Sequence, residues 1–103
     1  MKKGNKDQSS KPPVVGVGWY TEIQWDKLQA VAVDPKILEE SYEEWVDVFI
    51  KGCALLENAG ISTVKIAIDV DELVRWCRQE GLAVDADARS RFVTEKLREI
   101  EKA

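Results

Sequence analysis

The chain has 103 residues, of which 45% are hydrophobic and 33% charged, and its formal net charge is −4 at pH 7. This length fits one domain with a single core, which buries about 65% of the surface that the unfolded chain exposes. The composition is that of a globular domain rather than a disordered chain. Because no apolar run approaches the roughly 20 residues of a membrane-spanning helix, we expect no association with a membrane.

The first 13 residues, MKKGNKDQSSKPP, differ from the rest in charge and composition. They carry four lysines and one aspartate, whereas residues 14–103 carry 11 basic and 18 acidic groups. We predict a flexible basic tail over residues 1–13 and one domain over residues 14–103. The tail lacks the apolar stretch of a signal peptide, so we expect a cytoplasmic protein. The acidic domain disfavours nucleic acid as a partner, because binding to phosphate backbones depends on neutralising negative charge.

Residues 14–20, VVGVGWY, are the first predicted element, a strand rich in valine. Their GxG pattern is too short to indicate a phosphate-binding loop, since neither GxxxxGK[ST] nor GxGxxG is present. Glycines within a strand instead ease a bend or a close contact with another element.

A helix over residues 22–32 follows, with Thr21 as its N-cap and Gln24 at the spacing of a capping box. Trp25 lies on its apolar face and is expected in the core. Asp34 stands directly before a proline, a pair that marks a further helical start because proline suits the first helical position.

The longest predicted helix covers residues 42–59 and starts with the capping box of Ser41 and Glu44. Its apolar residues, which include Trp45, fill an arc of roughly 220°, far wider than the ~100° stripe of a surface helix. We therefore expect this helix to be central to the core, in contact with other elements on two sides. Gly52 lies within the arc, where it permits a neighbouring element to approach closely.

Residues 61–69, ISTVKIAID, are predicted to form the second strand, because Val64, Ile66 and Ile68 alternate with less apolar residues. A lone strand leaves its backbone groups unpaired, and residues 14–20 are the obvious partner. If that pairing fails, the strand can pair with its copy in a second subunit.

Two further helices close the chain, one beginning at Asp69 and ending before Gly81, the other beginning at Asp85. Together these elements predict a small, mainly helical single α+β domain with about four helices and a minimal two-stranded sheet.

The segment IDVDELVRWC, residues 68–77, offers the best candidate for metal chemistry. Asp69, Asp71 and Glu72 could supply oxygen ligands to Mg²⁺ or Ca²⁺, but the glycine-bearing loop of an EF-hand is missing. Helix capping accounts for the same residues: Asp69 would accept from the first amides, and Glu72 would reach back to the cap. We therefore predict no metal and no cofactor here.

Histidine is absent, which removes the commonest acid–base group and excludes Ser-His-Asp and Cys-His arrangements. The two cysteines, Cys53 and Cys77, lie on apolar helix faces and are expected to be reduced and buried. Catalysis by lysine or carboxylate stays open, but no catalytic residue stands out, so we favour a protein that is not an enzyme.

The prediction of an interaction site rests on the tryptophans. Trp76 adjoins Arg75 at the edge of its helix face, with Arg78 nearby, and Trp19 lies at a strand end. Because tryptophan and arginine dominate binding hot spots, these four residues are the candidate interaction site.

We accordingly predict a non-catalytic protein-interaction domain with a protein partner, or one that self-associates as a homodimer. Two alternatives stay open. The first is a nucleic-acid-associated accessory protein that uses the lysine-rich tail and the arginines of the last two helices, such as the RSR of residues 89–91. The second is a small-ligand-binding protein or enzyme with a pocket between sheet and helices.

Overall fold

In the computed structural model, which describes residues 13–102, two strands and four α-helices follow one another in the order that the sequence predicts. The bounds of these elements are β1 Val14–Trp19, α1 Glu22–Val31, α2 Tyr42–Asn58, β2 Ser62–Ala67, α3 Val70–Glu80 and α4 Ala86–Lys102. The predicted α+β class is confirmed, as is its minimal two-stranded sheet. Apart from Pro13, the predicted basic tail lies outside the described residues.

The two strands pair in parallel, from Val14 opposite Ser62 to Trp19 opposite Ala67. The predicted pairing is therefore correct. The strands run in the same direction because the crossover through α1 and α2 returns the chain to the end of the sheet where β1 began.

Helix α4 packs closely on one face of the sheet, directly over the two glycines of β1. A Cβ atom on Gly16 would lie 3.2 Å from Val93 Cγ1, and one on Gly18 would lie 3.0 Å from Val93 Cγ2. These distances leave no room for a side chain, which confirms that the glycines of VVGVGWY serve a close contact. Ile66 faces the same helix from β2, since its Cγ1 would lie 3.5 Å from a Cβ on Gly16.

The core lies between this face of the sheet and helices α1, α3 and α4. Its buried residues are Tyr20, Trp25, Leu28, Ala32, Ile66, Ile68, Val70, Leu73, Cys77, Val84, Ala88 and Phe92. Trp25 is 2% exposed, as predicted for a core residue.

The prediction that α2 is central to the core is wrong, because none of its residues is buried. The helix lies on the second face of the sheet, where its Trp45 and Phe49 contact Trp19. Two strands about 4.8 Å apart form a face too narrow to cover an apolar arc of roughly 220°. A large part of that arc is therefore left in solvent.

Four of the predicted N-caps are present. Thr21, Ser41, Asp69 and Asp85 each accept a hydrogen bond from the backbone N–H three residues on, at 3.3, 3.0, 3.2 and 2.8 Å. Ser41 also donates its backbone N–H to Glu44 Oε1 at 3.1 Å, which completes a capping box.

Asp34 does not cap the element that it precedes, a single 3₁₀ turn over Pro35–Ile37. Its carboxylate instead accepts the backbone N–H of Ala86 at 2.9 Å and Arg89 Nη1 at 2.8 Å, so it caps the distant helix α4. The hydrogen bond from Arg89, aided by its charge, holds the pKa of Asp34 below the ordinary value.

We expect Asp34→Asn to lower the free energy of unfolding at pH 7, because Arg89 loses its ionic partner. A depressed pKa stabilises the folded state above the ordinary carboxyl pKa and loses that effect as pH falls through the folded value. The difference between wild type and variant should thus be full at neutral pH and shrink below about pH 4. Urea unfolding from pH 7 to pH 2 measures this, with the surface variant Asp71→Asn as control. A difference that stays constant with pH would contradict it.

Candidate interaction surface

The outer edge of β1 carries backbone groups that β2 does not use. In β1 the residues that bond to β2 are the odd-numbered ones, since Pro13 O accepts from Ser62 N and Trp19 O accepts from Ile68 N, both at 2.9 Å. In a parallel ladder the alternate residues point away from the neighbouring strand. The backbone N–H and C=O groups of Val14, Gly16 and Gly18 therefore point outward, and none bonds to another residue within 13–102. We call this row the β1 edge.

An apolar groove runs beside the β1 edge on the α2 side of the sheet. It has a volume of about 460 Å³ and no charged residue among those that line it, and we call it the α2 groove. The residues that line it are Val17, Val48, Phe49, Gly52, Cys53, Leu55 and Leu56. Val48 and Leu55 point toward solvent, with exposed fractions of 51% and 71%.

A second groove, of about 410 Å³, runs beside the β1 edge on the α4 side, and we call it the α4 groove. Gly16, Gly18, Tyr20, Arg89 and Val93 contribute to its wall. Burial raises the pKa of Tyr20 to about 12, against the opposing charge of Arg89, so the hydroxyl stays neutral at physiological pH. Arg89 itself is held by its ion pair with the Asp34 carboxylate.

Trp19, one of the predicted interaction residues, is half-buried at the end of β1. Its ring centroid lies 5.1 Å from that of Trp45 and 5.0 Å from that of Phe49, and the Lys65 ammonium lies 4.5 Å above it. Trp45 is half-buried and also stacks on Trp25 at 5.3 Å. Trp19 thus packs α2 against the sheet beside the α2 groove.

The other three predicted residues lie on α3, away from this cluster. Trp76 is half-buried, with its ring centroid 5.4 Å from that of Phe92, and it covers the rim of the core. Arg75 and Arg78 are exposed. The four residues are therefore placed in two separate regions, with Trp19 beside α2 and the other three on α3.

Sequence reasoning missed the exposed valines and leucine that flank the β1 edge, chiefly Val15, Val48 and Leu55. The sequence did indicate that some apolar residues of α2 would stay exposed, because its apolar arc is too wide for a two-stranded sheet to cover. For the same reason Cys53, which was expected to be buried, is half-buried in the α2 groove. Cys77 is buried as expected, and burial raises the pKa of its thiol.

In IDVDELVRWC the capping interpretation is confirmed for Asp69 and corrected for Glu72. Glu72 does not reach back to the cap, because it accepts Lys96 Nζ at 2.6 Å. Asp71 accepts Lys27 Nζ at 3.1 Å. Within residues 13–102, no group of three His, Cys, Asp or Glu side chains is placed to hold a metal ion.

Two of the three arginines of α4 pair with carboxylates of the same domain. Arg89 is paired with Asp34 at 2.8 Å, and Arg98 Nη1 donates to Glu95 Oε2 at 2.9 Å.

Across residues 13–102, no helix is both long enough and apolar enough to cross a membrane.

Comparisons of this chain with protein-family models, with curated proteins and with solved structures found no match.

We expect Asp69→Ala to lower the free energy of unfolding by about 1 kcal/mol, because the N–H of Glu72 loses its acceptor at the start of α3. Asp71→Ala is the matched control and should change stability by no more than a few tenths of a kcal/mol, since it removes only a surface ion pair. Denaturant unfolding measures both. If a chelator lowered the melting temperature of the wild type, a bound metal would replace capping as the explanation.

Proposed function

We propose that this chain is a non-catalytic protein-interaction domain that self-associates in the cytoplasm. The observation that carries the proposal is the position of α2: a helix with an apolar arc of roughly 220° has no buried residue. Its flank beside the β1 edge, with Val48 and Leu55, faces solvent.

A large apolar side chain gains about 1.5–3 kcal/mol when it passes from water into a protein interior. Val48 and Leu55 lie about two turns apart on one flank of α2, and they line the α2 groove together with Val17 of β1. Contiguous apolar surface of this kind marks an interaction site, whereas single exposed residues such as Ile23 on α1 are normal.

The chemistry of the α2 groove favours an apolar partner surface rather than a charged ligand. No charged residue lines the groove, so it offers nothing to hold a phosphate, a carboxylate or an ammonium group. A second copy of this chain brings a surface of the same character, as a two-fold interface requires.

The charge of the domain gives this association a characteristic salt dependence. Residues 14–103 carry 18 acidic and 11 basic groups, so two copies repel each other at long range. Added salt screens that repulsion and leaves apolar burial intact. Self-association should therefore strengthen with ionic strength, whereas binding to a basic partner or to nucleic acid would weaken.

The test compares Leu55→Lys with Ile23→Lys, because both wild-type side chains are 71% exposed on helices. Sedimentation equilibrium over a range of protein concentrations, at 50 and 500 mM NaCl, measures the dimer dissociation constant. We expect Leu55→Lys to raise this constant at least tenfold, since it places a charge in the apolar interface. Ile23→Lys should leave the constant within a factor of about two, and circular dichroism checks that both variants fold.

A wild-type protein that remains monomeric up to millimolar concentration at both salt levels would overturn the proposal. So would equal effects of the two substitutions, because the flank of α2 would then have no special role.

A further inference from the structure

We infer that the β1 edge pairs with the β1 edge of a second copy, antiparallel and centred on Gly16, to give a four-stranded sheet. The inference rests on the self-association proposed above and specifies its geometry. The order of strands is β2-β1-β1-β2, and a two-fold axis perpendicular to the sheet passes between the two Gly16 residues.

The spacing of the outward backbone groups suits this axis. Val14, Gly16 and Gly18 are the outward residues, and they are placed symmetrically about the central glycine. An antiparallel partner sets Gly16 opposite its own copy and Val14 opposite Gly18 of the other copy. Facing outward residues exchange N–H···O=C bonds in an antiparallel ladder, so all of these backbone groups gain partners at once.

On the α4 side of the sheet, the pairing places a valine opposite a glycine. Even-numbered residues of β1 face α4, and opposed residues of paired strands project to the same face. The exposed Val14 side chain therefore lies opposite Gly18 of the other copy, at the wall of the α4 groove where Val93 covers the glycine. Pairing in this register brings the two α4 grooves together across the two-fold axis, and it sets the two α4 helices side by side.

On the opposite face, Val15 of one copy lies opposite Val17 of the other. This is a pair without direct hydrogen bonds, in which the side chains approach most closely. Helix α2 contacts β2 more than β1, which leaves these valines open to the partner. Val48 and Leu55 of both copies then flank the valines from each side, and Gly52, with no atom within 4 Å of a Cβ position, leaves space for approach.

The second copy is a better occupant of this edge than the chain's own first residues. A strand beside β1 must place apolar side chains alternately toward the two grooves, and residues 1–12 contain no large apolar residue after Met1. They do contain four lysines, which are charges that natural edge strands use to prevent pairing. Strand β1, VVGVGW, has no charged residue and no proline.

The experiment uses the full chain at a concentration where it is dimeric, as an equal mixture of ¹³C,¹⁵N-labelled and unlabelled protein. An isotope-filtered NOESY spectrum reports only contacts between copies. In an antiparallel pair without direct hydrogen bonds the two Hα atoms are close, so we expect an intermolecular Hα–Hα contact between Val15 and Val17.

Val15→Lys provides the second measurement, with Val33→Lys as its control because Val33 is exposed away from both grooves. Val15→Lys should raise the dimer dissociation constant at least tenfold and abolish the intermolecular contact. Val33→Lys should leave both unchanged.

The remaining outcomes overturn the inference in distinguishable ways. Intermolecular contacts confined to α2, a Val15–Val15 contact, or a dimer with no contact from β1 would reject this strand pairing and leave self-association standing. A strict monomer would reject both.

Discussion

The parallel pairing of β1 with β2 is the constraint on which the rest of the structure depends. It joins segments more than 40 residues apart, and it requires the chain between them to cross from one end of the sheet to the other. Helices α1 and α2 make that crossover. Gly16 and Gly18 then allow α4 to lie close against the first face, so that the core forms between this face and the helices α1, α3 and α4.

A sheet of two strands has two free edges and little area, and this limits what α2 can bury. The aromatic cluster of Trp19, Trp45 and Phe49 holds α2 on the second face. Part of the remaining apolar surface of the helix, at Val48 and Leu55, lies beside Val17 on the side where the β1 edge is open. Unsatisfied backbone groups and exposed apolar side chains therefore occur side by side, and one added strand with its own helix would cover both.

The local features of this fold follow from the sequence because they depend on neighbouring residues. The caps at Thr21, Ser41, Asp69 and Asp85 and the left-handed glycine Gly81 all lie where spacing predicts them. Contacts between distant segments do not follow in this way.

Asp34 looks like a local cap but caps α4, 52 residues away. Glu72 looks like half of a capping box, yet it pairs with Lys96 on another helix. Of the candidate site, Trp19 and the wide apolar arc of α2 were visible in the sequence. Where that arc remains uncovered depends on the width of the sheet, which no local pattern encodes.

The most direct test of this account is amide hydrogen exchange in β1 as a function of protein concentration. The amides of Val15 and Val17 bond within the subunit and should be protected at every concentration. The amides of Gly16 and Gly18 point outward, so pairing of the β1 edges predicts that they exchange rapidly in dilute solution and become protected as the concentration rises. Exchange at Gly16 and Gly18 that is fast at all concentrations, while the protein sediments as a dimer, would contradict it.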